Sequence, residues 1–413
     1  MGASRAARSA AVTAPVRVLR IAAGGDGVGR LEDGRTVFIP RTAPGDLIEP
    51  VDVRLHARFA RAAVGRLLEH GAGRTEPRCG HYRDDACGGC QLQHLDPPSQ
   101  HAARRAIAGD ALRRIARLEM DDPELEPTDA AWNYRSRITL AVEPSGPRAG
   151  FHRIDAPTVF SLVRCEIADE RLNMAWGLVS AASSEWPPAL SHIVLRLGRD
   201  DRVHVVFRGP VKPAPSWSAR NGFITWWEAP DSTPRRLSQG GGGPEQIPPG
   251  VFEQVHQSMG ARVRAFAVEQ LGAVEGRLAW DLYAGIGETS AALASRGAKV
   301  ESVELDPDAV AAAERDLTDR ILRHSGTVEG WIGKMSAPDV VITNPPRAGM
   351  AESVIRELTT RRPPRIVYVS CDPATLARDL ARFGPAYRVG VLRSFDLFPQ
   401  TAHVETVVRL DRA

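Results

Sequence analysis

Five cysteines carry much of the chemistry in this chain, and their spacing divides them. Cys87-Gly-Gly-Cys90 has C-x-x-C spacing, Cys79 stands eight residues before it, and Cys165 and Cys371 stand apart. A single loop of this kind can wrap thiolates around one metal centre, and its glycines allow close backbone approach. A lone C-x-x-C serves redox pairs and zinc sites equally well. Here the third cysteine, with Cys165 available as a distant fourth, points to a four-thiolate site. Zinc and iron–sulfur clusters both take four thiolates, so residue types leave both open. A disulfide framework is disfavoured because the count is odd, the chain is large and no secretory signal is visible. A radical enzyme with three cluster cysteines and one open iron is disfavoured because Cys165 can close the shell.

The fifth cysteine belongs to another pattern. Ser370-Cys371-Asp-Pro places a thiol at the carboxyl end of an apolar strand, just before a proline turn, where a buried inert cysteine is the plain alternative. Asn344-Pro-Pro-Arg-Ala-Gly follows the preceding strand, and its two prolines stiffen a loop that presents the Asn side chain. Asp281-Leu-Tyr283-Ala-Gly285-Ile-Gly287 follows an earlier strand, and Glu304 closes the one after it. Glycines admit a nucleoside ligand close to the backbone, and a carboxylate in that position can accept hydrogen bonds from ribose hydroxyls. Near the end, Phe398-Pro-Gln-Thr-Ala-His-Val-Glu405 returns a carboxylate toward the same crevice, with His403 read as structural.

The elements that must position these groups follow from the pattern of the chain. With 413 residues, 43% hydrophobic and 25% charged, it has material for two or three cores. No run approaches the roughly 18 to 20 apolar residues of a membrane-spanning helix. A net charge of +3 permits a polyanionic partner, and the basic residues are nearly all arginine, lysine occurring only at 212, 299 and 334. Arginine suits bidentate phosphate contacts and stacking on bases, although codon bias yields the same skew.

Residues 1–14 are Arg- and Ala-rich without an apolar stretch and read as a disordered tail, a composition shared with mitochondrial transit peptides. Residues 15–72 alternate in short strands broken by Gly and Pro, which predicts a small β-barrel. Residues 73–239 read as a central α+β domain holding the cysteine loop and a basic helix over His101–Leu118. Residues 240–250, with Gly240 to Gly243, read as a linker. Residues 251–413 alternate apolar strands with helices, from a helix near Phe252 and strands at Leu278, Lys299, Val340 and Arg365, which predicts a parallel, doubly wound sheet. Ligands of such sheets sit at the carboxyl ends of the strands.

Taken together these segments resemble the RNA uracil-5 methyltransferases, in the branch with an N-terminal TRAM barrel and a four-iron, four-sulfur cluster. The likeness spans nearly the whole chain. It rests on Gly25-Asp-Gly-Val-Gly-Arg, Phe38-Ile-Pro, Pro44-Gly-Asp, Cys87-Gly-Gly-Cys-Gln-Leu-Gln-His-Leu, Phe252-Glu-Gln and the four catalytic-domain motifs above, in family order. It implies a Rossmann-like class I methyltransferase domain and methylation of carbon 5 of a uridine. The donor would be S-adenosylmethionine. Cys371 would be the nucleophile and Glu405 the base. Gln254, Tyr283, Gly285, Gly287, Glu288, Glu304 and Asn344 would line the cofactor site. Cys79, Cys87, Cys90 and Cys165 would hold the cluster.

The chain departs from the family at Asn344 (usually Asp), Glu288 (usually Asn), Ala284 (commonly Cys) and His256 (usually Asn). The expected partner is RNA, ribosomal before transfer RNA, in the cytoplasm, with no membrane and no obligate protein partner. Two rivals remain: an amino-methyltransferase of the Asn-Pro-Pro type, which lacks its aromatic because Arg347 follows, and an RNA-binding protein whose catalytic site has decayed.

Overall fold

The computed structural model describes residues 8–9, 14–154, 156–214, 217, 222–237, 247–313 and 318–413. Most of the expected tail and the Gly240 to Gly243 junction lie outside these. Three sheets organise the described chain, with seven, six and eight strands.

The first is built from short alternating strands. Leu47–Leu55 and Phe59–Glu69 form its long antiparallel pair, continued through Thr36–Ile39, Gly27–Arg30 and Arg20–Ile21. Val16–Arg17 pairs with Leu47–Leu55, while Arg20–Ile21, a few residues on, pairs with Gly27–Arg30 at the other edge. One stretch of chain therefore joins both edges, and the sheet curls into a barrel, which removes its open edges. Val37, Ile39, Ile48, Val53 and Ala60 fill it.

The six-stranded central sheet includes Arg137–Val142, His192–Leu197, Val203–Arg208 and Ile224–Glu228. The helix Glu170–Ala181 lays Leu172, Ala175, Trp176 and Val179 against Ile138, Leu140, Ile193, Leu195 and Phe207 on one face of it.

Within the third sheet we label seven strands in chain order: β1 Leu278–Leu282, β2 Lys299–Glu304, β3 Ile321–Ser325, β4 Val340–Thr343, β5 Arg365–Ser370, β6 Tyr387–Phe395 and β7 Glu405–Arg412. Their spatial order is β3-β2-β1-β4-β5-β7-β6, with β7 antiparallel to both neighbours. The order reverses between β1 and β4, which opens a crevice at the strand ends there. The inner strands are apolar on both faces because both are covered. Val263, Ala267 and Leu293 pack on one face, and Val354, Leu358, Leu376 and Phe383 on the other. Each of the larger side chains among these contributes about 1.5–3 kcal/mol by leaving water.

Three expectations need correction. The helix read from Phe252 runs Gln257–Gln270. β3 was not identified from sequence, because its residues are at best half-buried and its apolar signal is weak. The basic helix is Pro97–Arg114, capped by Asp96, whose carboxylate accepts the Ser99 N–H at 2.8 Å. It does not belong with the central domain: Leu112 enters the catalytic core, and Glu124–Glu126 just after it adds a parallel edge strand to β6. Its Arg104, read as one of a basic face, is wholly buried beside Asp396 at 3.0 Å.

Candidate active site and cysteine pocket

Cys371 immediately follows β5. Ser370 accepts the Asp372 N–H on its hydroxyl, and Asp372 accepts the Thr375 N–H at 2.8 Å to cap the helix Pro373–Phe383, so the chain turns sharply at the thiol. Ser370 pairs with Thr406 across the ladder, and Glu405 is the first residue of β7. The register therefore sets the thiol next to that carboxyl. Glu405 is 1% exposed, and its Oε2 has no hydrogen-bond partner among the described residues. Burial pushes its carboxyl up to about 8, against a partial pull downward by the Arg347 guanidinium. Burial also raises the Cys371 thiol above its usual range, the charge of Glu405 raises it further, and Arg347 opposes both. Two such groups in one desolvated place do not readily carry two negative charges, so each holds the other toward its protonated form.

The loop from Asn344 to Gly349 faces this pair and is held from the helix Pro373–Phe383. Thr375 donates to Arg347 O at 3.0 Å, Arg378 donates to Ala348 O at 2.8 Å, and buried Asp379 accepts the Met350 N–H at 2.9 Å and the Tyr368 hydroxyl at 2.8 Å. Gly349 has φ +78, and a Cβ there would stand 2.3 Å from Thr375 Cγ2, so only glycine lets the helix approach. Thr375, Arg378 and Asp379 were missed from sequence. The one available signal was a carboxylate at a buried position of an amphipathic helix.

On the other side of the crevice, β1 runs into Tyr283, Gly285 and Gly287, all with left-handed backbone (φ +61, +55 and +81). Glu304 holds this turn, its two oxygens accepting the Gly285 N–H at 2.7 Å and the Asp306 N–H at 2.8 Å. Each carboxylate oxygen keeps a second lone pair for a ligand. The Tyr283 hydroxyl is buried and without a partner among the described residues. Tyr283, Gly285, Gly287, Glu304 and the exposed Asn344 thus meet at the ends of β1, β2 and β4. Gln254 packs near Gly260, at the start of the helix Gln257–Gln270.

Glu288 is different. Its carboxylate pairs with Arg199 of the central domain at 2.6 Å and with Arg264 at 2.5 Å. Arg199 also holds Glu253, which pairs with Arg196 as well. A longer, charged side chain in place of the usual Asn thus joins two domains, and both of its oxygens are engaged by arginines.

The other four cysteines surround one cavity of about 340 Å³, whose lining also includes Gln93, Arg135 and Arg137. No group of three or more His, Cys, Asp or Glu among the described residues is gathered to hold a single metal ion. A lone zinc needs its sulfurs at about 2.3 Å from one point. Thiols spread around a cavity suit a larger, multi-atom body. The Gly89 N–H donates to Cys87 Sγ at 3.4 Å, a contact that favours a charged sulfur. Burial pushes the Cys87 thiol up to about 11 and raises Cys90 and Cys165 as well, with the neighbouring sulfurs adding to it. These groups stay protonated until a cationic centre compensates them.

A family model described as tRNA (Uracil-5-)-methyltransferase matches residues 332–413. A 23S rRNA (uracil(1939)-C(5))-methyltransferase of Thiobacillus denitrificans is 30% identical over 96% of this chain and 99% of its own. An uncharacterized RNA methyltransferase of Corynebacterium glutamicum is 30% identical over 95% of both. Among solved structures, the Pyrococcus abyssi tRNA (uracil-54, C5)-methyltransferase in complex with S-adenosyl-L-homocysteine superposes with a TM-score of 0.75, at 26% identity, over 96% of this chain and 99% of that one.

Proposed function

This chain belongs to the RNA uracil-5 methyltransferase family and methylates carbon 5 of a uridine in RNA with S-adenosylmethionine as donor, and we propose that it does so through a covalent bond from Cys371, with Glu405 as the base. The observation that carries the reading is the thiol beside a buried, unpartnered carboxyl at the ends of β5 and β7.

Carbon 5 of uracil is a poor nucleophile until a group adds to carbon 6. The Cys371 sulfur, once deprotonated, forms a bond to carbon 6 and drives electron density through carbon 5 toward oxygen 4. Bound S-adenosylmethionine would supply an electrophilic methyl group, which carbon 5 takes as the sulfonium–methyl bond breaks and S-adenosylhomocysteine is left. Glu405 as carboxylate then removes the carbon 5 proton, the carbon 5–carbon 6 double bond re-forms, and the bond to sulfur breaks. Both groups are held toward their protonated forms, so the Cys371 proton must leave before the sulfur attacks, and the Glu405 proton must pass to solvent before its carboxylate can take the one on carbon 5. Tyr283, Gly285, Gly287, Glu304, Asn344 and Gln254 would hold the donor. The target base must be unstacked, at a cost of a few kcal/mol that RNA contacts offset. The barrel and the arginine-rich central domain are the surfaces for those contacts.

The RNA class we favour is ribosomal. What supports it is the full-length likeness to a relative named for 23S rRNA, higher in identity than that to the transfer-RNA enzyme. In the cysteine pocket, Cys79, Cys87, Cys90 and Cys165 would hold a four-iron, four-sulfur cluster, with zinc as the alternative. Its contribution would be to neutralise four thiolates and tie the loop around Cys90 to the segment around Cys165.

The test is anaerobic incubation with labelled S-adenosylmethionine and total RNA from a strain lacking the gene, followed by nucleoside mass spectrometry and mapping. Label in 5-methyluridine of ribosomal RNA is expected. Label in transfer RNA would overturn the substrate class, and label in a methylated amine would promote the Asn-Pro-Pro reading. RNA binding with no transfer would mean a decayed site.

A further inference from the structure

The loop Asp396–His403 ends two residues before Glu405, and three parts of the chain converge on it. From the cysteine loop, the N–H groups of Gln91 and Leu92, next after Cys90, both donate to Gln400 O, at 3.1 and 3.0 Å. The Gln91 side chain bridges the same two loops, donating to Gly88 O at 2.9 Å and accepting the Ala402 N–H at 3.3 Å. From the helix Pro97–Arg114, Gln100 accepts the Gln400 N–H at 3.1 Å and donates to Gln400 Oε1 at 2.9 Å and to Leu95 O at 3.0 Å. Arg104 donates to Thr401 O at 3.1 Å, and Tyr134, packed against Cys79 and Cys90, donates to Pro399 O at 3.1 Å.

From the barrel, Gly25 abuts the junction: at its φ of +93, a Cβ would lie 2.5 Å from Gln91 Cβ and 3.2 Å from Ala402 Cβ. Leu92, Leu95, Ile21, Ala43 and Ala402 close the junction as one buried apolar cluster.

Gln400 itself has φ +70, a conformation that a non-glycine residue keeps only where its surroundings hold it. Its carbonyl takes two N–H donors, and its own N–H and side-chain oxygen are bound by a residue 300 positions away. Such a density of bonds exceeds what a surface turn needs. It fixes the entry of the chain into β7 and therefore the place of a carboxyl that sits buried without a bond of its own on Oε2.

We propose that Gln91 and Gln100 are positioning residues for Glu405. Through Gln91, the integrity of the cysteine loop then governs proton removal from carbon 5 rather than the first attack by Cys371. The inference rests on the assignment of Glu405 as base. It predicts a lesion of one kind at three places. When Gln91 or Gln100 is truncated, or Gly25 is forced outward, Cys371 and the donor site stay in place. The covalent RNA intermediate then forms at its ordinary rate and is resolved slowly.

The experiment compares Gln91→Ala, Gly25→Ala and Glu405→Gln in the full-length protein, purified anaerobically. It reads the covalent RNA adduct on denaturing gels, release of the carbon 5 hydrogen, KM for RNA, and amide exchange in 396–403. Gln91→Ala is expected to lower kcat about tenfold, as for the loss of one well-placed hydrogen bond. Its KM for RNA should hold, its adduct should accumulate, and exchange in 396–403 should be faster. Gln91→Glu, which keeps the acceptor for the Ala402 N–H, should recover part of the rate. A rise in KM without adduct accumulation would overturn the proposal and make the junction a scaffold for RNA binding. If Glu405→Gln accumulates adduct and neither Gln91→Ala nor Gly25→Ala does, the positioning claim alone fails. If Glu405→Gln does not accumulate it, the base assignment fails, and the positioning claim falls with it.

Discussion

The two thiol sites of this molecule use the same side chain in opposite settings. In the crevice, one cysteine stands partly exposed beside a buried carboxyl, with an arginine acting on both. In the pocket, four cysteines face one another across a cavity whose wall also includes Arg135, Arg137, Arg164, His81 and Glu166. Burial raises Cys371 in the crevice and Cys87, Cys90 and Cys165 in the pocket. What sets the crevice apart is a wholly buried carboxyl opposite a single sulfur, and what sets the pocket apart is the company of three more sulfurs. Burial therefore does not make a cysteine reactive or ligating. In the proposed roles, a neighbouring carboxyl serves the nucleophile, and three more sulfurs would make a cysteine a ligand.

Substitutions that exchange these settings should have unequal effects. Cys371→Ala is expected to abolish turnover while leaving RNA and donor binding within about threefold, because nothing else in the crevice can add to carbon 6. Measured methyl transfer and donor calorimetry would check this, and normal turnover would remove the thiol from the mechanism.

Cys90→Ser should act in the reverse sense. If the pocket holds the proposed cluster, iron and sulfide should be lost, and the melting temperature should fall more than for Cys371→Ala, because ligand binding would contribute to folding. Metal analysis and calorimetry read both.

A smaller effect concerns Glu405. Its carboxyl in the folded state is raised from an ordinary 4.5 to about 8. The unfolded chain therefore binds fewer protons than the native one between those values, and stability falls as pH rises through that window. Above about 8 both states are ionised and the loss is complete. Glu405→Gln should thus gain melting temperature over the wild type as pH rises from about 4.5 to about 8, and little beyond. A constant difference across the range would mean that the carboxyl is not raised.

Smallest is Arg199→Ala. It leaves Glu288 with Arg264 alone near the donor site, and should weaken S-adenosylmethionine binding about two- to threefold at low salt, with the difference fading as salt is added.

How much of this was legible in the sequence differs between the same two sites. The crevice is assembled from strand ends, and each strand announces itself locally: Leu278–Leu282 and Val340–Thr343 have the bounds their apolar runs suggest, so Tyr283, Asn344 and Cys371 could be set around one opening. β3, with a half-exposed face, gave no such run. The pocket combines a loop near Cys90 with Cys165 from another part of the chain, and periodicity says nothing about that meeting. The docking of Pro97–Arg114 was hidden for the same reason. Its helix was readable, but its partners, Gln400, Thr401 and Asp396, lie about 300 positions away. Arg104 looked like a solvated charge, since composition cannot show that Asp396 compensates it in the core. Glu288 was visible as a departure from the family, but its arginine partners were not.

The central claim is that Cys371 bonds to the uridine and Glu405 releases it. The most direct measurement incubates Glu405→Gln with RNA and S-adenosylmethionine, digests the product with nuclease and protease, and sequences the cross-linked peptide by mass spectrometry. The account predicts a nucleotide carrying the new methyl group, bonded to Cys371. An adduct on any other residue, or methylation proceeding in this variant at the wild-type rate with no adduct, would contradict it.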